Sequence, residues 1–208
     1  MPLRSYRWLL VTLAIITLAV DQTSKYGVFR WLYPGDENAS KNFRGDKEVI
    51  EGWFRLTAEF DPFHPPCDCS INRLQTWSAP LMPRVNHGAL FGLGGQHKGS
   101  ANQVFAAISL IAATGIIIWS FRQSTAADGW LCTALGLILG GTLGNLYDRI
   151  VFNGVRDFLY FYKIDWPVFN FADCCLVVGA GILLVHALII HHDESVPASS
   201  TSPANSPT

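Results

Sequence analysis

Acidic residues at the ends of very apolar stretches are the chemically informative feature of this chain. Asn145-Leu146-Tyr147-Asp148-Arg149 closes one such stretch and is followed by Val155-Arg156-Asp157-Phe158; Phe169-Asn170-Phe171-Ala172-Asp173 opens the next. A carboxylate beside hydrocarbon is costly to ionise, so a chain that keeps several there has a use for them. If two meet in one pocket, their pKa values are driven apart, which suits a pair that takes and gives protons. Asn145 and Asp148 are three apart and share a face if a helix persists that far. Arg149 is placed to pair with a carboxylate and hold it ionised. Asp173 falls in the first turn of the segment it opens, where the helix dipole alone favours an acidic residue. By spacing alone, catalytic and capping roles both stay open for it.

The elements that must position these groups are apolar. Half of the 208 residues are hydrophobic, 15% are charged and the net charge is −1. That composition leans towards the membrane class, and no basic run points to nucleic acid. Residues 104–121, 130–146 and 171–190 are nearly uninterrupted apolar runs, close to the about 17–25 residues a spanning helix needs. A first run from Trp8 spans only if it continues through Asp21-Gln22-Thr23-Ser24-Lys25 to residue 28. A secretory signal peptide is the alternative there, but the run ends in Asp21 rather than in a small-residue cleavage site. The expected fold is all-α and integral to the membrane, with four transmembrane helices over 8–28, 104–121, 130–146 and 171–190. A polar region, 29–100, forms an extended loop after the first helix with a small β element lying on the membrane surface. Residues 1–192 form the membrane domain, and 193–208, rich in Ser, Pro, Thr and Ala, a disordered tail.

Four spans put Asp21, Asp148, Asp157 and Asp173 on one membrane face and His186, His191 and His192 on the other. The positive-inside rule sits badly with an outward-facing acidic side. Arg4, Arg7 and Arg122 lie with the chain ends, against Lys25, Arg30, Lys98, Arg149, Arg156 and Lys163 opposite. Within 29–100, Phe54-Arg55-Leu56-Thr57 alternates as a strand does, Leu90-Phe91 follows a Gly-containing turn, and Pro62, Pro65, Pro66, Pro80 and Pro83 break the middle into loop. Gly136, Gly140 and Gly144, with Gly141 alongside, are spaced for close helix approach. Cys132, Cys174 and Cys175 are expected to be packing residues, and Cys67-Asp68-Cys69 to bind a metal, form a bond or be inert.

Taken in order, five segments carry a family resemblance. They are Asp21-Gln22-Thr23-Ser24-Lys25, Asn86-His87-Gly88-Ala89-Leu90-Phe91-Gly92, Gly140 to Arg149, Val155-Arg156-Asp157-Phe158 and Phe169-Asn170-Phe171-Ala172-Asp173. The chain resembles bacterial lipoprotein signal peptidases, or signal peptidase II, from about Trp8 to Ile190. The resemblance implies an aspartic endopeptidase of the bacterial cytoplasmic (inner) membrane that acts on diacylglyceryl-modified prolipoproteins. It would cut before the lipidated cysteine, with its active face extracytoplasmic, which overrides the charge count. It implies Asp157 and Asp173 as the catalytic pair, with Asp21, Lys25, Asn86, Asn145, Asp148, Arg149 and Asn170 shaping or lining the site. No metal and no cofactor are implied; the partners are prolipoprotein substrate and membrane lipid, with no nucleic acid, and the chain is expected to be a monomer. Two departures stand out. Residues 31–84, which hold Cys67 and Cys69, are longer than the corresponding family segment, and Leu90 replaces a commonly smaller residue.

Such a pair works with one carboxyl ionised and one protonated, and which is which stays open at this point. The ionised member takes a proton from the attacking water while the other polarises the scissile carbonyl. Three other classes would show different patterns. A small transporter would spread its carboxylates through the bundle depth, a metal-dependent lipid-transferring enzyme would need a dense Asp/His cluster, and a scaffold would need no such pair.

Overall fold

A computed structural model of the chain describes residues 5–35, 43–88 and 98–195. Arg4, the Leu90-Phe91 segment and the chain after residue 195 lie outside the described residues. Among the described residues four long helices run α1 (Arg7–Trp31), α3 (Lys98–Ser120), α5 (Gly129–Phe152) and α6 (Phe171–Ser195), with short helices α2 (Asn72–Gln75) and α4 (Gln123–Ala127) between them. Three stretches among the described residues, Ser100–Ser120, Gly129–Phe152 and Phe171–Ile189, are long and apolar enough to cross a membrane. The protein is thus a membrane protein built mainly of helices. Helix α1 has the length, 25 residues, but its second half carries Asp21, Lys25 and Arg30. Both Asp21 and Lys25 are 0% exposed, turned into the bundle.

Helix α5 is the hub, packed on α1, α3 and α6. The glycine stripe explains how: Gly136 faces the Leu10 backbone, Gly140 faces Thr17 and Ala14, and Gly144 faces the Asp21 carboxylate. Gly141 faces the other way, where a β-carbon would stand 2.7 Å from the carbonyl oxygen of Ala172. The expected close approach is therefore real, with one row of glycines seating α1 and one glycine seating α6. Gly141→Val should force the α6 backbone outward beside Asp173 and cost about 1–3 kcal/mol. Thermal unfolding in detergent checks this; an unchanged Tm would show that α6 tolerates the shift. Between α1, α3 and α5 lies a core of Leu10, Ala14, Ala113, Ile116, Cys132, Leu135 and Leu139.

Helix α5 carries Asn145 near the end of the apolar segment and runs six residues beyond it, through Asp148 to Phe152. It stops at Asn153, whose φ of 57° is the left-handed conformation asparagine tolerates at a helix end. Asn102 on α3 caps this end by donating to the Arg149 carbonyl (3.2 Å) and the Asn153 side chain (2.9 Å). At the opposite end Asp128 caps α5 by accepting from the Leu131 N–H (3.0 Å) and meets His186 Nε2 at 2.7 Å. His186, on the membrane face opposite the acidic groups by the count of spans, ties α6 to the start of α5. The side chains of His191 and His192 lie outside the described residues.

The expected β element is a four-stranded antiparallel sheet: β1 (Arg44–Ile50), β2 (Phe54–Asp61), β3 (Met82–Pro83) and β4 (Leu159–Tyr160), with β3 and β4 both pairing with β2. A hairpin turn at Gly52, φ 72°, joins the first two. The sheet packs on the end of α1 through Phe29, Leu32, Ala58, Phe60, Ala79 and Phe158. Cys67 and Cys69 are joined by a disulfide in the proline-broken loop.

Candidate active site

Beyond α5 the chain makes two short antiparallel contacts that decide where the acidic groups go. Val155 pairs with Asn86 through both backbone hydrogen bonds, 2.8 Å each. Leu159 pairs with Phe169 in the same way, at 2.9 and 3.0 Å. Asp157, midway, is thereby held between the Asn86 segment and the start of α6. Asn86 donates Nδ2–H to Asp157 Oδ2 (3.1 Å), and Asn170 donates Nδ2–H to Asp157 Oδ1 (2.7 Å).

Asn170 and Asp173 form a capping box. The Asp173 N–H donates to Asn170 Oδ1 and the Asn170 N–H to Asp173 Oδ2, each 3.2 Å. With its oxygen held by the helix, Asn170 has its amide hydrogens directed at Asp157. Capping and site assembly are thus one arrangement, with a single asparagine touching both carboxylates. Asn145 on α5 completes Asp173's surroundings by donating Nδ2–H to Oδ1 (2.9 Å).

Behind the pair lies a buried ionic cluster. Lys25 Nζ donates to Asp21 Oδ2 (2.8 Å) and to Asn145 Oδ1 (3.0 Å) and stands 3.5 Å from Asp148 Oδ2. Asp21 also accepts the Ala172 N–H at 3.0 Å, which ties α1 to the first turn of α6. All the expected site residues therefore come to one region: Asp157 and Asp173, with Asn86, Asn145 and Asn170 bonded directly to them, and Asp21, Lys25 and Asp148 behind.

Arg149 differs from expectation. Its bonds run to the Asn145 carbonyl (3.2 Å) and over the Phe105 ring (5.6 Å). It interacts with Asp157 and Asp173 through space, but the ion pair of Asp148 is with Arg156 (2.8 Å) and Lys25. Adjacent residues on a helix do not face each other, so Asp148 and Arg149 diverge. Two participants were missed. Arg156 stands in the sequence only as part of a motif and of the charge count, and Gln22 bridges Asp21, Asp148 and Arg156 at 2.9–3.2 Å. The helical offset between Asp148 and Arg149 was the available signal for the first; nothing in the sequence marks the second.

Burial is the main cause that pushes the Asp157 carboxyl up to about 7. The Asn170 hydrogen bond opposes it, and the charge of Asp173 adds to it. Asp173, in the first turn of α6, accepts a side-chain amide N–H from Asn145 and a backbone N–H from Asn170.

Residues 71–189 match the family described as signal peptidase (SPase) II. A lipoprotein signal peptidase of Rhodopirellula baltica is 37% identical over 190 residues, covering 84% of this chain and 69% of that protein. One from Symbiobacterium thermophilum is 31% identical over 182 residues, covering 86% and 94%. A solved bacterial membrane enzyme, determined by the in meso method at 2.3 Å, superposes with TM-score 0.64 over 97% of this chain and 99% of its own, at 19% identity. That likeness concerns the fold. The protein is a membrane-embedded hydrolase of the aspartic peptidase class. It belongs to the signal peptidase II family.

Proposed function

We propose that this protein removes the signal peptide from diacylglyceryl-modified prolipoproteins, cutting before the lipidated cysteine, with Asp157 and Asp173 as its catalytic pair. The observation that carries the reading is Asn170, which donates its side-chain N–H to the Asp157 carboxylate and its backbone N–H to the Asp173 carboxylate. Asp173 is the ionised member and takes a proton from the attacking water. Asp157 keeps its proton, polarises the scissile carbonyl and then donates. Asn86 and Arg149 line the pair and offer donors to the developing oxyanion or the substrate backbone.

Helix α1 completes four spans. Its outward face carries exposed Val11, Ile15, Ile16 and Val20, and Trp8 and Trp31 flank it, as aromatic residues do at the two interfaces. The distance between those tryptophans, about 35 Å of helix, suits a bilayer. Residues 1–192 form the peptidase domain and 193–208 a cytoplasmic tail. The chain is a monomer in the inner membrane, surrounded by lipid, with the site on the extracytoplasmic face.

Asp157 must be protonated, so kcat/KM should fall as pH rises through about 7. It should fall again at low pH as the pair takes a second proton. The folded protein keeps a proton on Asp157 that the unfolded chain releases near 3.8. This group's contribution to stability therefore falls as pH rises from about 4 to about 7, then stays level. A pH–rate profile with no alkaline limb below pH 9 would refute the assignment of Asp157 as the acid.

The decisive test is cleavage of a diacylglyceryl-modified prolipoprotein by the purified protein in detergent with a chelator present. Chelator-insensitive cleavage at the lipidated cysteine supports the reading, and no cleavage by folded protein counts against it.

A further inference from the structure

Arg156 is 1% exposed, and the mechanism above leaves it without a role. Its Nη2 lies 2.8 Å from Asp148 Oδ1 and its Nε 3.2 Å from Oδ2; its backbone N–H adds a third bond to Oδ2 at 2.9 Å. Nη2 also donates to Gln22 Oε1 on α1 (2.9 Å). The guanidinium lies against two rings, 4.1 Å from the Tyr26 centroid and 4.0 Å from that of Phe152. A planar, bidentate, ring-stacked arginine is a rigid fixture that lysine cannot copy.

Its position gives the fixture a purpose. The next residue is Asp157, carried on the loop that leaves α5 after the left-handed Asn153. Asp148 is linked in turn through Lys25 and Asn145 to Asp173. We infer that Arg156 is a positioning residue for cleavage: its clamp on Asp148 fastens the loop bearing Asp157 to the same helices that hold Asp173. The inference rests on the proposed catalytic pair.

The cluster is also balanced, with Asp21 and Asp148 facing Lys25 and Arg156. The groups facing Asp157 itself are Asp173 from α6, Lys25 from α1 and Arg149 from α5, with the amides of Asn86 and Asn170. Without Arg156 the cluster has an uncompensated negative charge beside the pair. That charge would hold the Asp157 proton to higher pH.

The test compares Arg156→Gln, Arg156→Lys, Asp148→Asn and the Arg156→Gln/Asp148→Asn double variant with the wild type in detergent. In Arg156→Gln, kcat should fall on the order of 10–100-fold through misplacement of Asp157, with KM changed less than about threefold. Its pH–rate profile should move to higher pH. Arg156→Lys, keeping the charge without the fork, should restore the pH profile but not kcat. The double variant should be no worse than the poorer single one, because both remove one contact.

Two readouts need no turnover. Amide exchange over 155–159 should quicken about tenfold or more in Arg156→Gln as the loop loses its tie. The infrared carboxyl band of Asp157, assigned by difference against Asp157→Asn, should titrate at higher pH. Wild-type kcat in a folded Arg156→Gln protein, or a loss confined to KM with unchanged exchange, overturns the inference. If that variant does not fold, Arg156→Lys decides, and full kcat with unchanged exchange there overturns it. If the wild type itself fails to cleave, the peptidase reading falls, while the exchange and carboxyl readouts still decide the role of Arg156.

Discussion

Asp157→Asn and Asp173→Asn should each lower cleavage by at least about 10³-fold, the scale on which acid–base groups act, while the protein stays folded and membrane-inserted. The amide is close to isosteric with the carboxyl but can neither take the proton of water nor give one to the leaving amine. At position 173 the substitution keeps an oxygen for the Asn170 N–H, so the cap of α6 persists. At position 157 it removes a group that burial and Asp173 make reluctant to ionise. Asp157→Asn should therefore match the wild type in stability at neutral pH or exceed it. Loss of activity without loss of Tm separates catalysis from architecture. Cleavage at the wild-type rate by either variant would sink the assignment of the pair.

Lys25→Met should be the most destabilising single substitution considered, by about 3–5 kcal/mol. Lys25 is fully enclosed, and its ammonium serves Asp21, Asp148 and the Asn145 side chain at once. Methionine fills the space but leaves two buried carboxylates with only Arg156 and the neutral donors Gln22 and Ala172 N–H between them. One carboxyl must then take a proton or the helices must part. Lys25→Met/Asp21→Asn should recover much of the loss, because the cation and one anion leave together. Thermal unfolding of both variants in detergent measures this. A Lys25→Met protein as stable as the wild type would mean that the cluster is hydrated and the pairing weak. Activity should fall as well, since Lys25 fixes which way the Asn145 amide faces Asp173.

Much of the site was legible because its parts are local. Asn170 and Asp173 stand at the spacing of a capping box, and the same spacing delivers an amide to a second carboxylate. Asn145 and Asp148 lie on an extension of an apolar helix, readable as a polar end to a greasy run. The sheet was legible in Phe54 to Thr57, where alternation matches the pleat, but its partners were not. Strands of two residues, Met82–Pro83 and Leu159–Tyr160, are too short to show any period. No feature of the sequence names the carboxylate that Arg149 would meet, and Arg149 reaches Asp173 and Asp157 through space rather than by a close ion pair.

Composition and periodicity by themselves determined the apolar helices, and it is the resemblance carried by five short motifs that singled out Asp157 and Asp173. Partition between water and hydrocarbon is a property of each residue, and a motif is a property of its neighbours. Only the tertiary structure decided which ions pair. Gln22 meets Arg156 across 134 residues of sequence and Asn145 meets Lys25 across 120, brought together by a glycine stripe that lets α1 lie against α5. A buried charge accepts whichever opposite charge the packing places within reach, and no feature of the local sequence records that choice.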